Sequence, residues 1–315
     1  MSTNNLQIRD ANARLLRQLS LYLNLMPDAI DGTMVDEIAG SMPKEQREYA
    51  YAVLLATYCG IDTEYRPSDK ALFHERFVKM VHMQDTKDYT SDPYYKNIKI
   101  PNVIYGNWEL KQEKFKAYEA FLIDESDILK DGSLIPKVGF FEEEFLFPAV
   151  LQDGREWMTI TPHEINSTLP AVNKSFGKVA TYGLGLGYFA YMAAIKEDVS
   201  SVTIIEKDKS VIDLFEKFIL PQFPEREKIK IVCADAFEYA QKSAPGEKFD
   251  FVFADTWHDP SDGIEMYEKF KSLEHLCPET QFSYWIEKTV NYYRNLTQDD
   301  AEPAVTKTIT FFEGE

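Results

Sequence analysis

The sequence predicts an α/β protein whose C-terminal part folds as a doubly wound, mostly parallel sheet. From Lys178 onward, short apolar runs alternate with segments of helical periodicity, the pattern of strands joined by crossover helices. A glycine-rich turn, Gly183-Leu184-Gly185-Leu186-Gly187, falls between the first run and the first helix, where it lets a ligand approach the backbone. The next three runs end on acids, Glu206, Asp235 and Asp255, at the sheet edge where such folds bind ligands. Ahead of this sheet the pattern is helical and then hairpin-like. The expected organisation is an N-terminal all-α domain over residues 1–132, a connecting β-hairpin with a linking helix over 133–175, and the sheet domain over 176–315.

In the N-terminal part, Leu15, Leu16, Leu19, Tyr22 and Leu23 recur at helical spacing, as do Tyr51, Leu54, Leu55 and Tyr58, then Phe73, Phe77, Met80 and Val81. The same spacing predicts a further helix through Leu110, Phe115, Tyr118, Phe121 and Leu122. A loop from Thr86 to Asn107, with Pro93, Pro101 and Gly106, separates the last two. Its tyrosines, Tyr89, Tyr94, Tyr95 and Tyr105, read as packing residues, with a lid over a cationic or aromatic acceptor as the alternative. Phe145–Leu151 and Glu156–Ile160 read as strands turned by Asp153-Gly154. Thr161-Pro162-His163-Glu164 has the form of a capping box, starting a helix that runs to about Asn173.

In the sheet domain the expected strands are Val179–Tyr182, Ser201–Glu206, Ile229–Asp235, Phe249–Asp255 and Gln281–Ile286. Helices are expected at Tyr188–Ile195, Ser210–Ile219 and Ala236–Gln241, and through Ile264, Tyr267, Phe270, Leu273 and Leu276. A helix near residues 289–296 and a strand near 306–312 close the chain.

Length and charge narrow the function. The 315 residues suffice for two domains. Lys+Arg of 34 against Asp+Glu of 52 gives a net charge of −18, which repels phosphate backbones and anionic lipid. Nucleic acid and membrane are therefore disfavoured, and a neutral or cationic small molecule is tolerated; solubility is the plainer use of the charge. Cys59, Cys233 and Cys277 show neither a disulfide framework nor metal-knuckle spacing. Met1–Asp10 is polar and no run reaches 18 apolar residues, so a cytoplasmic setting is expected. A homodimer stays open.

The glycine turn discriminates among nucleotides. A dinucleotide fingerprint G-x-G-x-x-G would place its third glycine at Tyr188, and here the pattern is G-x-G-x-G. NAD is disfavoured on that ground. No Lys-Ser or Lys-Thr closes the turn as a P-loop requires.

With these residues in place, 178–287 resembles the class I S-adenosylmethionine-dependent methyltransferases, which have a Rossmann-like sheet. The resemblance implies that Gly183, Gly185 and Gly187 underlie the methionine part of the cofactor. It implies that Glu206 accepts the ribose hydroxyls, a task two carboxylate acceptors suit, with Asp208 as the competing candidate. It further implies Asp235 as acceptor for the adenine amine, the Ala236 N–H beside it, and Asp255 lining the catalytic cleft. One departure is Thr181, which stands where the family usually carries an acid, so the amino group of the donor would fall to Asp255 or another residue.

The loop Asp255–Gly263 is similar to the spermidine synthase loop, with one extra residue before Asp259-Pro260. The Asp153-Gly154 hairpin is similar to that branch as well, whereas its glycine loop carries an acid that Gly183–Gly187 lacks. His258, beside Asp255, is a candidate general base, and His163 a second; packing or surface roles are commoner for lone histidines. Asp255, His258 and Asp259 also invite a metal reading, but no acid–amide pair follows the fifth strand, and no metal is expected. The expected function is transfer of a methyl group from S-adenosylmethionine to a small-molecule acceptor, with the helical part closing over it. The alternatives are aminopropyl transfer from the decarboxylated donor, and a binding protein that keeps the fold without catalysis. The apolar Leu184 and Leu186 and the neutral Thr181 decide for the methyl reading, since no acid is visible to repel the donor's carboxylate.

Overall fold

The computed structural model describes residues 3–40 and 43–295; the strand expected near 306–312 lies outside them. The described strands are β1 (Val81–Gln84), β2 (Val103–Tyr105), β3 (Trp108–Phe115), β4 (Phe121–Ile128), β5 (Leu134–Phe141), β6 (Phe145–Gln152) and β7 (Arg155–Thr159). They continue with β8 (Gly177–Tyr182), β9 (Val199–Glu206), β10 (Ile229–Cys233), β11 (Phe251–Ala254) and β12 (Gln281–Tyr284). The chain divides into two compact units. Among the described residues no helix is long and apolar enough to cross a membrane.

The first unit takes in the described residues up to Thr86 together with Lys114–Phe145. Helices Thr3–Leu25, Gly32–Ala39 and Lys44–Tyr58 bury Leu15, Leu19, Leu23, Val35 and Leu55 in one core. That core includes a sheet of order β1-β5-β4, in which β1 runs parallel and β4 antiparallel to β5. Tyr51 lies flat on Phe140 of β5, with ring centroids 4.0 Å apart. The N-terminal part is therefore not all-α. Leu110 and Phe115 sit on β3, and Phe121 and Leu122 on β4, with a turn at Tyr118 (φ 64°) between them. Apolar residues of two neighbouring strands reproduced helical spacing across that turn, which is why periodicity alone misread them.

The second unit comprises Lys87–Glu113 and Leu146–Asn295. It holds a five-stranded, wholly parallel sheet of order β10-β9-β8-β11-β12. β11 is wholly apolar and buried, and β8 and β9 are buried over their carboxyl-terminal halves, as strands covered on both faces must be. Successive strands leave the centre toward β10 and then return to β11 beside β8, so the order reverses between β8 and β11. That arrangement is the Rossmann-like pattern. A second sheet of order β2-β3-β6-β7 belongs to the same unit. In it β6 and β7 pair antiparallel across Asp153 and Gly154, both at positive φ (52° and 78°).

Residues expected as a bare loop between Thr86 and Asn107 contain two short helices, Thr86–Thr90 and Pro93–Asn97, and β2. Asp92 caps the second by accepting the Tyr94 N–H at 2.8 Å. The tyrosines then fasten this segment to the glycine turn. The buried Tyr94 hydroxyl donates to the Leu186 carbonyl at 2.6 Å, the Tyr188 hydroxyl donates to Asp92 at 3.0 Å, and the Tyr95 hydroxyl donates to the Ile160 carbonyl. Replacing the Tyr94 hydroxyl leaves the buried Leu186 carbonyl without that donor. We expect Tyr94→Phe to lower unfolding free energy by about 0.5–1.5 kcal/mol in denaturant titration. A variant as stable as the parent would remove this contact from the forces that hold the turn.

Candidate functional site

The carboxyl ends of β8 and β11 meet at the point where strand order reverses. Here Gly183 has φ 98°, and a Cβ on it would stand 2.0 Å from the Asp255 carbonyl oxygen. Only glycine fits that position. Gly185 has φ 51°, with the Met158 sulfur where a Cβ would project, and the same sulfur accepts the Leu186 N–H at 3.2 Å. Gly187 sits in the left-handed region immediately before the helix Tyr188–Ala194. The turn is thus a close-packed backbone corner at the open end of the sheet.

Glu206 ends β9 beside this corner. Its Oε2 accepts the Leu184 N–H at 3.3 Å and its Oε1 the Asp208 N–H at 2.8 Å. Burial pushes its carboxyl above the usual range, and these backbone donors pull part of the way back. Asp208 is committed elsewhere: its carboxylate accepts from the backbone and hydroxyl of Ser210 and caps the helix Lys209–Phe218. Asp235 is exposed and caps the helix Ala236–Lys242 through the Glu238 N–H, with Ala236 as the first helical residue. Gly183, Glu206 and Asp235 therefore follow three strand ends, β8, β9 and β10, that are neighbours in the sheet.

A cleft opens at the β8–β11 end, lined by Asp255, Glu164, Thr181, Gly183, Tyr188 and Met158 among others, and none of its lining residues is basic. Asp255 follows β11. Glu164 arrives from the helix Pro162–Lys174 that follows β7. Both acids keep some surface open to the cleft while protein atoms enclose them elsewhere. Burial pushes the Asp255 carboxyl up to about 7. Burial, and then the neighbouring Asp255 charge, drive the Glu164 carboxyl well above the carboxylate range. Thr181 is buried, and its hydroxyl lies 3.4 Å from the Gly183 carbonyl.

The sequence did not single out Glu164. It read as the far half of a capping box, but Thr161 makes no side-chain cap at that helix start. The carboxylate turns instead toward the Thr168 hydroxyl, 3.4 Å away, and the cleft. The spacing that signals a cap also places a carboxylate one turn into a helix, and only the packing of that helix decides where it points.

His258 is not gathered into the cleft. Its side chain is 68 % exposed and its Nδ1 pairs with Asp262 at 3.1 Å. Asp259 and Asp262 form a capping box at the start of the helix Pro260–Leu273, so this loop's acids are used to begin a helix. His163 packs edge-on against Trp285. Among the described residues no three His, Cys, Asp or Glu side chains are grouped to hold a metal.

Comparison with known proteins bears on the chemistry. Residues 189–277 match the model of the spermine/spermidine synthase domain. That is a transferase domain, and it overturns the methyltransferase expectation. No curated protein matches the chain. Among solved structures, spermidine synthase from Thermotoga maritima aligns at 18 % identity and TM-score 0.34, over 47 % of this chain and 55 % of that one. A spermidine synthase in complex with the transition-state analogue AdoDATO aligns at 20 % identity and TM-score 0.33, over 44 % and 50 %. The chain thus spans about half the length of the solved structures it matches. The correction rests on the domain match.

The position of Asp255 has a consequence for stability. A carboxyl whose pKa is higher in the folded than in the unfolded chain binds its proton more tightly when folded. Its contribution to stability is therefore lost as pH rises from about 4 toward 7, by at most about 1.4 kcal/mol per pH unit inside that window. We expect Asp255→Asn to gain stability relative to the parent between pH 5 and pH 8, by more than about 1 kcal/mol in denaturant unfolding. Parallel pH profiles for the two proteins would show that Asp255 ionises as freely folded as unfolded.

Proposed function

We propose that this protein transfers an aminopropyl group from decarboxylated S-adenosylmethionine to an aliphatic di- or polyamine. One observation carries the reading. Two carboxyls, Asp255 and Glu164, share the cleft at the glycine turn, and no basic side chain among the described residues lines it. Such a cleft repels the carboxylate of the full methionine tail and attracts an ammonium group. The match of residues 189–277 to the spermine/spermidine synthase domain supports the same chemistry.

In this reading the cleft residues divide the work. Gly183 and Gly185 let the turn pack directly against the Asp255 carbonyl and the Met158 sulfur, which shapes the corner that receives the donor's tail. Glu206 accepts backbone N–H groups on both oxygens, and a carboxylate has acceptor sites beyond these for the two ribose hydroxyls. Asp235 stands at the next strand end and accepts from the adenine amine, with the Ala236 N–H beside it. When bound, the donor supplies a sulfonium-activated propyl carbon, which forms a C–N bond to the acceptor nitrogen as the C–S bond breaks and its electron pair stays on sulfur. Asp255 takes the proton that the acceptor ammonium must lose to become nucleophilic. A carboxyl poised near neutral pH is suited to that exchange. Tyr188, fixed by its hydrogen bond to Asp92, walls the cleft against water.

Incubation of the purified protein with decarboxylated S-adenosylmethionine and putrescine or spermidine tests this directly. We expect methylthioadenosine and the aminopropylated amine in equal amounts by mass spectrometry. Asp255→Asn should lower kcat by about 10²–10⁴-fold, the range for losing a general base. Absence of methylthioadenosine above a no-protein control would contradict the proposal.

A further inference from the structure

We infer that Glu164 selects the donor, standing in for the acid that Thr181 leaves out. The inference rests on the functional reading above and adds the residue that enforces it. Glu164 lies on the third residue of the helix Pro162–Lys174, a place where a glutamate ordinarily serves the helix end. Here the cap residue Thr161 makes no side-chain bond, and the glutamate carboxylate faces the cleft with Thr168 as a long hydrogen-bond neighbour at 3.4 Å. Its other neighbours across the cleft are Thr181 on β8, Tyr188 beyond the glycine turn, Met158 on β7, and Asp255 after β11. Of these only Asp255 is a carboxyl, and none is a cation.

A second carboxyl held in this place has, among the described residues that line the cleft, no cation to balance it when it ionises. Its energetic cost falls when a cation enters, and rises when another anion does. The tail of the decarboxylated donor brings an ammonium alone; the tail of S-adenosylmethionine brings an ammonium and a carboxylate. Asp255 is engaged in the proton exchange with the acceptor and must change its charge during the reaction. Glu164 has no such task, and it lines the same cleft as the buried, neutral Thr181 on the strand leading into the glycine turn. The division of labour follows: Asp255 serves the acceptor nitrogen, and Glu164 holds the donor's ammonium and turns away its carboxylated form.

Calorimetric titration of the unaltered protein, Glu164→Gln and Glu164→Asp with the two donors tests the assignment. The unaltered protein should prefer decarboxylated S-adenosylmethionine over S-adenosylmethionine. Glu164→Gln should lose about tenfold or more of that preference, Glu164→Asp should keep most of it, and adding Thr181→Asp to Glu164→Gln should restore it. A Glu164→Gln protein with undiminished preference overturns the inference while leaving aminopropyl transfer standing. No preference in the unaltered protein overturns both. If Glu164→Gln does not fold, the unaltered protein can be titrated with a decarboxylated-donor analogue whose tail ammonium is replaced by methyl. Binding about tenfold weaker is expected, and equal binding would overturn the inference.

Discussion

The contact between Gly183 and the Asp255 carbonyl is the constraint on which the site depends. With no Cβ at Gly183, the backbone turns at φ 98° and the ends of β8 and β11 close to within a distance that any side chain would forbid. That closure puts a strand-end carboxyl beside the glycine turn. The β6–β7 hairpin and the helix after it then bring Met158 and Glu164 to the same cleft. Tyr94 and Tyr188 tie the turn to residues 92–94, so the corner is braced by their hydroxyls. Each of these parts is ordinary. Their convergence leaves two carboxyls in a nearly enclosed space without a counter-charge.

That imbalance gives the site its chemistry. A carboxyl raised to about 7 is costly to ionise and is ready to exchange a proton near neutral pH. Among the described residues no lysine or arginine lines the cleft to relieve that cost from within. A cationic ligand does. The donor and the acceptor of aminopropyl transfer both carry positive charge, and both would be stabilised where the protein alone is not. The net charge of −18 acts in the same direction at longer range.

Much of this was legible in the sequence, and the limits have physical causes. The parallel sheet could be read because buried strands and amphipathic helices alternate with clear punctuation, and the structure places its strands within a few residues of the expected ones. The glycine turn and the strand-end acids were found by position in that alternation. Leu110–Leu122 was misread because residues of β3 and β4 imitate helical spacing across the turn at Tyr118. Glu164 was overlooked because its local pattern already had a satisfactory use as a cap, and its orientation is fixed by contacts with residues far away in the chain. The methyl reading followed from the resemblance of residues 178–287 to class I methyltransferases, and this omission left nothing to set against it. It also rested on the absence of a visible acid at the glycine turn, and the structure brings Glu164 to that cleft from a helix that precedes the sheet in the chain.

The central claim is that the cleft carboxyls lack a cation and take one from the ligand. The most direct measurement is the number of protons exchanged when decarboxylated S-adenosylmethionine binds, obtained by calorimetry near pH 7 in buffers of different ionisation enthalpy. If the carboxyls hold a proton that the ligand's positive charge displaces, binding releases protons, and Glu164→Gln releases fewer. Binding with no proton release, or with uptake, would contradict the account.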